Sequence, residues 1–110
     1  LSENITVKSI VDRFLEHTRI YYFENNGNPK TYIASADWMD RNFFSRVEIA
    51  VPIEDKTLSR RIISEGLRYY LDDNTNAWIL RSSGKYYRIA SRKKRKYGAQ
   101  KRLINELSHF

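Results

Sequence analysis

The sequence predicts an α/β fold, in which helices pack on a mixed β-sheet. Two observations predict this class. Apolar residues recur at helical spacing in two stretches, 7–15 and 58–70, and β-branched or aromatic residues fill short runs between turn residues. The composition, 41% hydrophobic and 30% charged, is that of an ordinary globular chain, and 110 residues provide for one domain. We therefore expect a single domain over residues 1–110.

The first half of the chain predicts a helix followed by a hairpin. Thr6 can cap a helix over residues 7–17, whose apolar face would hold Val7, Ile10, Val11, Phe14 and Leu15. Residues 19–24 (RIYYFE) and 30–36 (KTYIASA) predict a hairpin, because the NNGNP segment between them tolerates the positive φ of a turn. Residues 38–45 are expected to form a loop.

The second half predicts three strands and two helices. Residues 46–53 (RVEIAVPI) alternate in polarity, which predicts a strand with Val47, Ile49, Val51 and Ile53 on its core face and Arg46 and Glu48 opposite. Asp55 can cap a helix over residues 56–71. Short strands are expected at 76–81 and 85–89, around a Ser-Ser-Gly turn, and a last helix at 97–108.

The net charge of +7 is concentrated in one segment. Residues 91–102 (SRKKRKYGAQKR) hold seven Lys/Arg and no acid, whereas the rest of the chain is neutral. Such a block suits a polyanionic ligand, because each phosphate contact gains Coulomb energy and releases a counterion. It is equally typical of a solvated basic linker before the last helix.

Several protein classes are excluded by composition. The absence of cysteine excludes a disulfide framework and a thiolate metal site, and it fits a reducing compartment. The two histidines, His17 and His109, form no ligand cluster, and the scattered glycines exclude a P-loop kinase. No apolar run approaches the roughly 18 residues that span a bilayer, so we expect a cytoplasmic protein. Leu1 in place of an initiator methionine suggests a piece of a longer chain.

His17 is the candidate catalytic residue. Near neutral pH an imidazole can donate a proton to a leaving phosphate oxygen or hydrogen-bond a non-bridging one. Arg19, Arg41 and Arg46 are candidate phosphate ligands, because a guanidinium offers a bidentate fork. Simpler roles are open for all four: a charge at a helix C-terminus for the histidine, and exposed salt bridges for the arginines.

Three segments carry a family resemblance: residues 16–27 (EHTRIYYFENNG), 32–42 (YIASADWMDRN) and 46–53 (RVEIAVPI). Together they resemble the last domain of bacterial polyphosphate kinases of the first class, the second of two phospholipase-D-like domains. The resemblance runs from about Asn4 to the end of the chain. It implies a partial phospholipase-D-like fold and a C-terminal fragment of a larger kinase.

The resemblance also implies an activity. The enzyme would reversibly transfer the terminal phosphate of ATP to polyphosphate through a phosphohistidine in a preceding domain, with Mg²⁺ bound outside this chain. Its partners would be ATP, ADP, inorganic polyphosphate, the remainder of the kinase chain and further copies in a homo-oligomer. The histidine matching His17 would contact the nucleotide phosphates and assist transfer as an acid. The fragment alone is expected to be inactive.

The expected site residues fall into two sets, and no metal ligand is among them. ATP or phosphate would be bound by His17, Arg19, Ser35, Arg41 and Arg46. These would be supported by Asp37, Asn42 and Glu48.

Two other functions are open. A phospholipase-D-like phosphodiesterase or nuclease would bring two copies of His17 together in a dimer. Against it, Arg19 replaces the lysine of the histidine-any-lysine motif, and Asp37 stands in place of an asparagine. A non-catalytic polyanion-binding or nucleic-acid-binding module would use the basic block, with three tyrosines available for stacking: Tyr86, Tyr87 and Tyr97.

Overall fold

The computed structural model describes residues 2–89 and 95–109. Strands in these ranges are β1 (Lys8–Ile10), β2 (Ile20–Phe23), β3 (Lys30–Ala34), β4 (Ala50–Pro52), β5 (Ala77–Leu80) and β6 (Tyr86–Arg88). Helices are α1 (Asp40–Phe44), α2 (Lys56–Ile63), α3 (Tyr69–Asp72) and α4 (Ala99–Leu107), with a π-helical turn at Ser64–Arg68. The predicted α/β class is confirmed, and the strands form two three-stranded antiparallel sheets.

The chain divides into two compact units. Unit 1 comprises residues 1–15 and 68–110, and unit 2 comprises residues 16–67. Unit 1 contains the sheet of order β1-β5-β6 with α3 and α4, and unit 2 contains the sheet of order β2-β3-β4 with α1 and α2. Organisation as one domain stays a prediction.

A buried carboxylate joins the elements of unit 1. Asp73, which follows α3, is only 1% exposed. One of its oxygens accepts hydrogen bonds from the N–H groups of Thr75 and Asn76, at 2.9 and 2.8 Å. The other accepts one at 2.8 Å from the N–H of Ala99, the first residue of α4. Since a buried charge is tolerated only when it is hydrogen-bonded, Asp73 fixes the end of α3, the approach to β5 and the start of α4 at one point.

Side chains also tie the N-terminal segment into unit 1. The Lys8 ammonium donates hydrogen bonds to the carbonyl oxygens of Leu71 and Asp73, the latter at 2.8 Å. Burial lowers the pKa of Lys8, because desolvation disfavours the charged form. The Gln100 amide accepts from the N–H of Phe14 at 2.9 Å and donates to its carbonyl at 2.8 Å, as a paired strand would.

The helix predicted over residues 7–17 is wrong. Lys8–Ile10 form β1, which pairs with β5, and two hydrogen bonds of 3.0 Å extend the pairing: Leu80 N–H to Val7 O, and Val11 N–H to Asn76 O. Val7, Ile10 and Val11 are β-branched, so they lose side-chain freedom in a helix and suit a sheet. The apolar spacing fitted a helix, but long-range pairing with β5 decided the conformation.

The predicted hairpin of unit 2 is confirmed as β2 and β3. Its turn contains three residues at positive φ: Asn25 and Asn26 at 52°, and Gly27 at 80°. Glycine adopts this conformation freely, and asparagine does so more readily than other residues. The turn composition therefore predicted the hairpin correctly.

The helix predicted over residues 56–71 is confirmed at its start and interrupted further on. Asp55 caps α2, since its side chain accepts a hydrogen bond of 2.7 Å from the N–H of Leu58. The hydroxyls of Thr31 and Ser59 lie 2.8 Å apart and join β3 to α2. In the π-helical turn, a Cβ on Gly66 would overlap Cδ1 of Ile20, so glycine permits close approach to β2.

The strand predicted over residues 46–53 is too long, because β4 covers only Ala50–Pro52. The Ser35 hydroxyl accepts a hydrogen bond of 3.0 Å from the N–H of Ile49, so a side chain replaces the backbone partner of a regular ladder. Val47, Ile49 and Val51, predicted on the core face, are exposed, Val47 to 97%. The loop predicted over residues 38–45 contains the short helix α1.

The last three predicted elements are confirmed as β5, β6 and α4. Gly84, at φ 79°, lies in the turn between the two strands. Residues 91–94 of the basic block lie outside the described residues, and residues 95–98 lead into α4.

An aromatic and charged cluster packs α4 against α3. The Tyr69 hydroxyl and Arg102 Nε each donate a hydrogen bond of 2.6 Å to Glu106. The Arg102 guanidinium lies 3.8 Å from the centroid of the Tyr69 ring, close enough for a cation–π interaction. Hydrogen bonds from Tyr69 and Arg102 lower the pKa of Glu106.

We expect Asp73→Ala to lower the free energy of unfolding by about 3 kcal/mol or more, because three N–H groups lose a charged acceptor. Urea denaturation measures the change. Asp72→Ala is the matched control, since Asp72 is exposed, and it is expected to cost about 0.5 kcal/mol or less. Equal effects of the two variants would show that the buried carboxylate does not organise unit 1.

Glu106→Gln is expected to destabilise the protein at neutral pH, by an amount that shrinks in acid. The folded-state pKa of Glu106 lies below its ordinary value of 4.5, so its stabilising contribution is present above pH 4.5 and is lost as pH falls through the folded value. Urea denaturation of both proteins across that range measures the difference. Glu3→Gln, at an exposed site, removes the same charge and is expected to change little. A difference between wild type and Glu106→Gln that is constant with pH would contradict the linkage.

Candidate phosphate-binding site

All the residues predicted for the site belong to unit 2. Arg19 contacts two of the others, Asp37 and His17. Arg19 Nε and Nη2 both contact Oδ1 of Asp37, at 2.8 and 2.7 Å. Its Nη1 donates a hydrogen bond of 2.9 Å to the carbonyl oxygen of His17. The hairpin makes this possible, because a bond of 3.0 Å from Ala34 N–H to Arg19 O extends the pairing of β2 and β3 and brings the end of β3 beside Arg19. One guanidinium thus joins the backbone at His17 to the acid after β3.

Asn42 fixes the position of Asp37. It lies in α1, is only 4% exposed, and donates a hydrogen bond of 3.0 Å from Nδ2 to the carbonyl oxygen of Asp37. Its Oδ1 has no hydrogen-bond partner among the described residues. Contacts therefore run from Asn42 through Asp37 to Arg19. The supporting role of Asn42 and Asp37 in phosphate binding stays a prediction.

Ser35 and Glu48 form a second pair. The Ser35 hydroxyl donates to a Glu48 carboxylate oxygen and accepts from the N–H of Ile49. Both hydrogen-bonding functions of the hydroxyl are therefore used within the protein. Ser35 can orient the segment that precedes β4, and in this arrangement it has no free proton to donate to a phosphate.

Arg41 and Arg46 differ from Arg19, because neither makes an ion pair with a carboxylate in the described part of the chain. Both side chains are exposed, as is the imidazole of His17. The contacts of the described residues do not link these two arginines to the Arg19–Asp37 pair. Their guanidinium groups are available to an anionic ligand.

Sequence reasoning missed an aromatic cluster beside the ion pair. Trp38 directly follows Asp37, and its Nε1 donates a hydrogen bond of 2.7 Å to the hydroxyl of Tyr21. The Tyr21 ring stacks on Trp38 with centroids 6.3 Å apart, and Phe43 meets Trp38 edge-on at 6.2 Å. Trp38 is nevertheless 79% exposed. The only signals in the sequence were that Trp38 directly follows Asp37 and that Tyr21 lies two residues after Arg19.

The arrangement offers anion recognition and one proton donor. It presents an exposed imidazole, two guanidinium groups that make no ion pair with a described carboxylate, and one guanidinium already bound to a carboxylate. Among residues 2–89 and 95–109, no group of three His, Asp or Glu side chains is placed to hold a metal ion.

Comparison with known proteins identifies the family. Residues 1–100 match the family model described as polyphosphate kinase C-terminal domain 2. The chain belongs to the polyphosphate kinase family. The polyphosphate kinase of Paraburkholderia phytofirmans is 60% identical over 88 residues, which are 80% of this chain and 13% of that relative. That of Neisseria meningitidis serogroup B is 59% identical over 90 residues, 82% of this chain and 13% of the relative.

A solved structure agrees with this assignment. The crystal structure of polyphosphate kinase from Porphyromonas gingivalis matches 97% of this chain and 16% of its own, with a TM-score of 0.87 and 38% sequence identity. The predicted likeness to a polyphosphate kinase C-terminal domain is therefore confirmed. This polyphosphate kinase domain spans about 13% of the length of the curated relatives it matches. Its described helices include none that is long and apolar enough to cross a membrane.

Ser35→Ala is expected to lower the free energy of unfolding by about 1 kcal/mol, because Glu48 and the N–H of Ile49 each exchange a protein hydrogen bond for one to water. Urea denaturation measures the change. Ser45→Ala makes the same chemical change at an exposed position after α1 and is expected to cost less than about 0.5 kcal/mol. If the two variants behave alike, Ser35 does not hold the segment before β4.

Proposed function

We propose that this domain supplies the phosphate-binding part of an ATP and polyphosphate site in a polyphosphate kinase. The complete enzyme would reversibly transfer the terminal phosphate of ATP to polyphosphate through a phosphohistidine in a preceding domain. The observation that carries the proposal is the position of Arg19, which is bound both to Asp37 and to the backbone of His17. This contact fixes the main chain at His17 and leaves its imidazole exposed.

In this proposal His17 assists the departure of ADP. The histidine of the preceding domain attacks the terminal phosphorus of ATP, a new N–P bond forms, and the bond from that phosphorus to the bridging oxygen breaks. The protonated His17 imidazole donates a proton to the oxygen that leaves with ADP, as a general acid, and becomes neutral. In the reverse direction the same group takes the proton back.

The arginines have two roles. Arg41 and Arg46, which make no ion pair with a described carboxylate, bind phosphate oxygens through bidentate hydrogen bonds. Phosphoryl transfer depends chiefly on positioning and on such cations around the transferred group. Arg19 neutralises Asp37 and keeps its negative charge from repelling the phosphates, while Asn42 holds that acid in place. Ser35 orients Glu48, and it contacts phosphate only if that bond opens.

The cofactor and the partners follow from the same proposal. In this proposal Mg²⁺ would neutralise phosphate charge when ATP is bound, at ligands outside this domain. The substrates are ATP or ADP and inorganic polyphosphate, and the remainder of the kinase chain supplies the phosphohistidine. We further propose a cytoplasmic homo-oligomer.

The test uses a chimera in which this chain replaces the matching segment of the Paraburkholderia phytofirmans kinase. We expect His17→Ala in the chimera to lower kcat for ATP-dependent polyphosphate synthesis by about 10²–10⁴-fold, the usual contribution of a general acid. The KM for ATP is expected to change less, because Arg41 and Arg46 remain. Steady-state kinetics at saturating Mg²⁺ measures both.

His109→Ala is the matched control, since it removes the other histidine, at an exposed position after α4. It is expected to leave kcat unchanged. Full activity of the His17→Ala variant would contradict the proposed role of His17 as a general acid. Polyphosphate synthesis by the 110-residue chain alone would show that no preceding domain is required.

A further inference from the structure

The positive charge of this protein is confined to one of its two units. Unit 1 contains thirteen Lys/Arg against five Asp/Glu, a net charge of +8, whereas unit 2 contains seven against eight, a net charge of −1. The candidate site around His17 lies in unit 2. The charge excess of unit 1 is therefore not explained by that site.

Three of the acids in unit 1 are occupied by internal contacts. Asp73 accepts three backbone N–H groups, Asp12 accepts from Arg13 N–H and from the Asn76 amide, and Glu106 is bound by Tyr69 and Arg102. None of these three carboxylates makes an ion pair with the exposed cations named next. In the described part of the chain, eight exposed basic residues of unit 1 make no ion pair. Two are Arg13 and Arg68, and six lie in or after the β5–β6 hairpin: Arg81, Lys85, Arg88, Arg95, Lys96 and Lys101.

The fold places these cations along one path. A hydrogen bond of 2.9 Å from Arg81 N–H to Lys85 O closes the β5–β6 turn, so both side chains start from the tip of that hairpin. At the other end of β6, Arg88 donates from Nη2 to the carbonyl oxygen of Thr75 at 2.9 Å. Three residue steps, roughly 10 Å, separate Lys85 from Arg88 along the chain. Their side chains project to opposite faces of the sheet, but β6 is its outer strand, so both border the same edge of the sheet and the path follows that edge.

The path continues to the start of α4. Asn74, next to Thr75, bonds to the segment before α4 in three ways: its N–H donates to Tyr97 O at 2.9 Å, its side-chain oxygen accepts from Tyr97 N–H at 2.8 Å, and its Nδ2 donates to Arg95 O at 3.3 Å. Arg88 and Arg95 are thus both attached to residues 74–75. The described cations form a basic strip from the hairpin tip through Arg88 to residues 95–101.

We propose that this basic strip binds an extended chain of inorganic polyphosphate, at a site separate from the His17 site of unit 2. The inference rests on the proposed function, which makes polyphosphate the polymeric substrate. Successive phosphates would replace condensed counterions by Lys and Arg side chains.

The exposed aromatic residues of the strip favour polyphosphate over single-stranded nucleic acid. Stacking of successive bases needs rings on one continuous face. Tyr86 and Tyr87, which are both about half exposed, are consecutive residues of β6, so their side chains project to opposite faces of the sheet. A polymer without bases requires no such platform, and the charges suffice.

The experiment measures binding of long-chain inorganic polyphosphate to the 110-residue protein by calorimetry at several salt concentrations. In the strip variant Arg81, Lys85 and Arg88 become Gln. We expect its affinity to fall at least tenfold near 0.1 M salt, and its slope of log K against log salt to fall by about 2, from three lost phosphate contacts. A second variant, with Arg95, Lys96 and Lys101 changed to Gln, is expected to lose a similar amount, and circular dichroism checks that each variant is folded.

The matched control changes Lys30, Lys56 and Arg60 of unit 2 to Gln, which removes the same charge from exposed positions. It is expected to retain polyphosphate affinity. Equal losses in the control and in both strip variants would overturn the proposal, because net charge alone would then account for binding. Tighter binding of single-stranded DNA than of polyphosphate would overturn the assignment of the ligand.

ATP binding separates this proposal from the proposed function. The strip variants are expected to bind ATP as wild type does, because ATP would occupy unit 2. If Arg41→Gln and Arg46→Gln have no effect on ATP binding while the strip variants lose polyphosphate affinity, the proposed phosphate-binding role of unit 2 is overturned and the proposal for the basic strip is supported. If the strip variants keep polyphosphate affinity, the proposal that the basic strip binds polyphosphate is overturned, whatever the ATP measurements give.

Discussion

The buried carboxylate of Asp73 is the constraint on which unit 1 depends. Its two oxygens accept three backbone N–H groups from segments that are far apart in the sequence. The adjoining residues 74–75 carry the bonds that hold both Arg88 and the segment before α4. A single buried charge therefore sets the positions of surface cations, because it fixes the backbone from which they project.

Unit 2 uses a comparable arrangement at its surface. Asn42 holds Asp37, Asp37 holds Arg19, and Arg19 holds the backbone of His17. Each link is a polar contact, and each depends on the hairpin register that brings the end of β3 beside Arg19. An exposed pair of this kind adds little stability. Its effect is to restrict geometry, which is what the binding of several phosphate oxygens requires.

The sequence predicted the elements whose signals are local. The Asn-Asn-Gly turn, the cap at Asp55 and the strands around Gly84 all depend on near neighbours, and the structure has each of them. The helix over residues 7–17 failed because the partner strand lies about 70 residues away in the chain. The strand over residues 46–53 failed because a serine side chain, rather than a backbone carbonyl, receives the N–H of Ile49. For the same reason, residue types indicated which groups could bind phosphate, but only the fold shows that Arg19 is paired and that Ser35 is occupied.

The tryptophans give each unit its own optical signal. Trp38 lies in unit 2 and is largely in water, whereas Trp78 lies within β5 of unit 1 and is partly buried. An indole already in water changes its emission wavelength little when the chain unfolds, while a partly buried indole shifts to longer wavelengths. The emission wavelength therefore follows the unfolding of unit 1. A soluble collisional quencher such as acrylamide reports the exposure of Trp38. One unlabelled sample can thus reveal whether the two units melt together or in sequence.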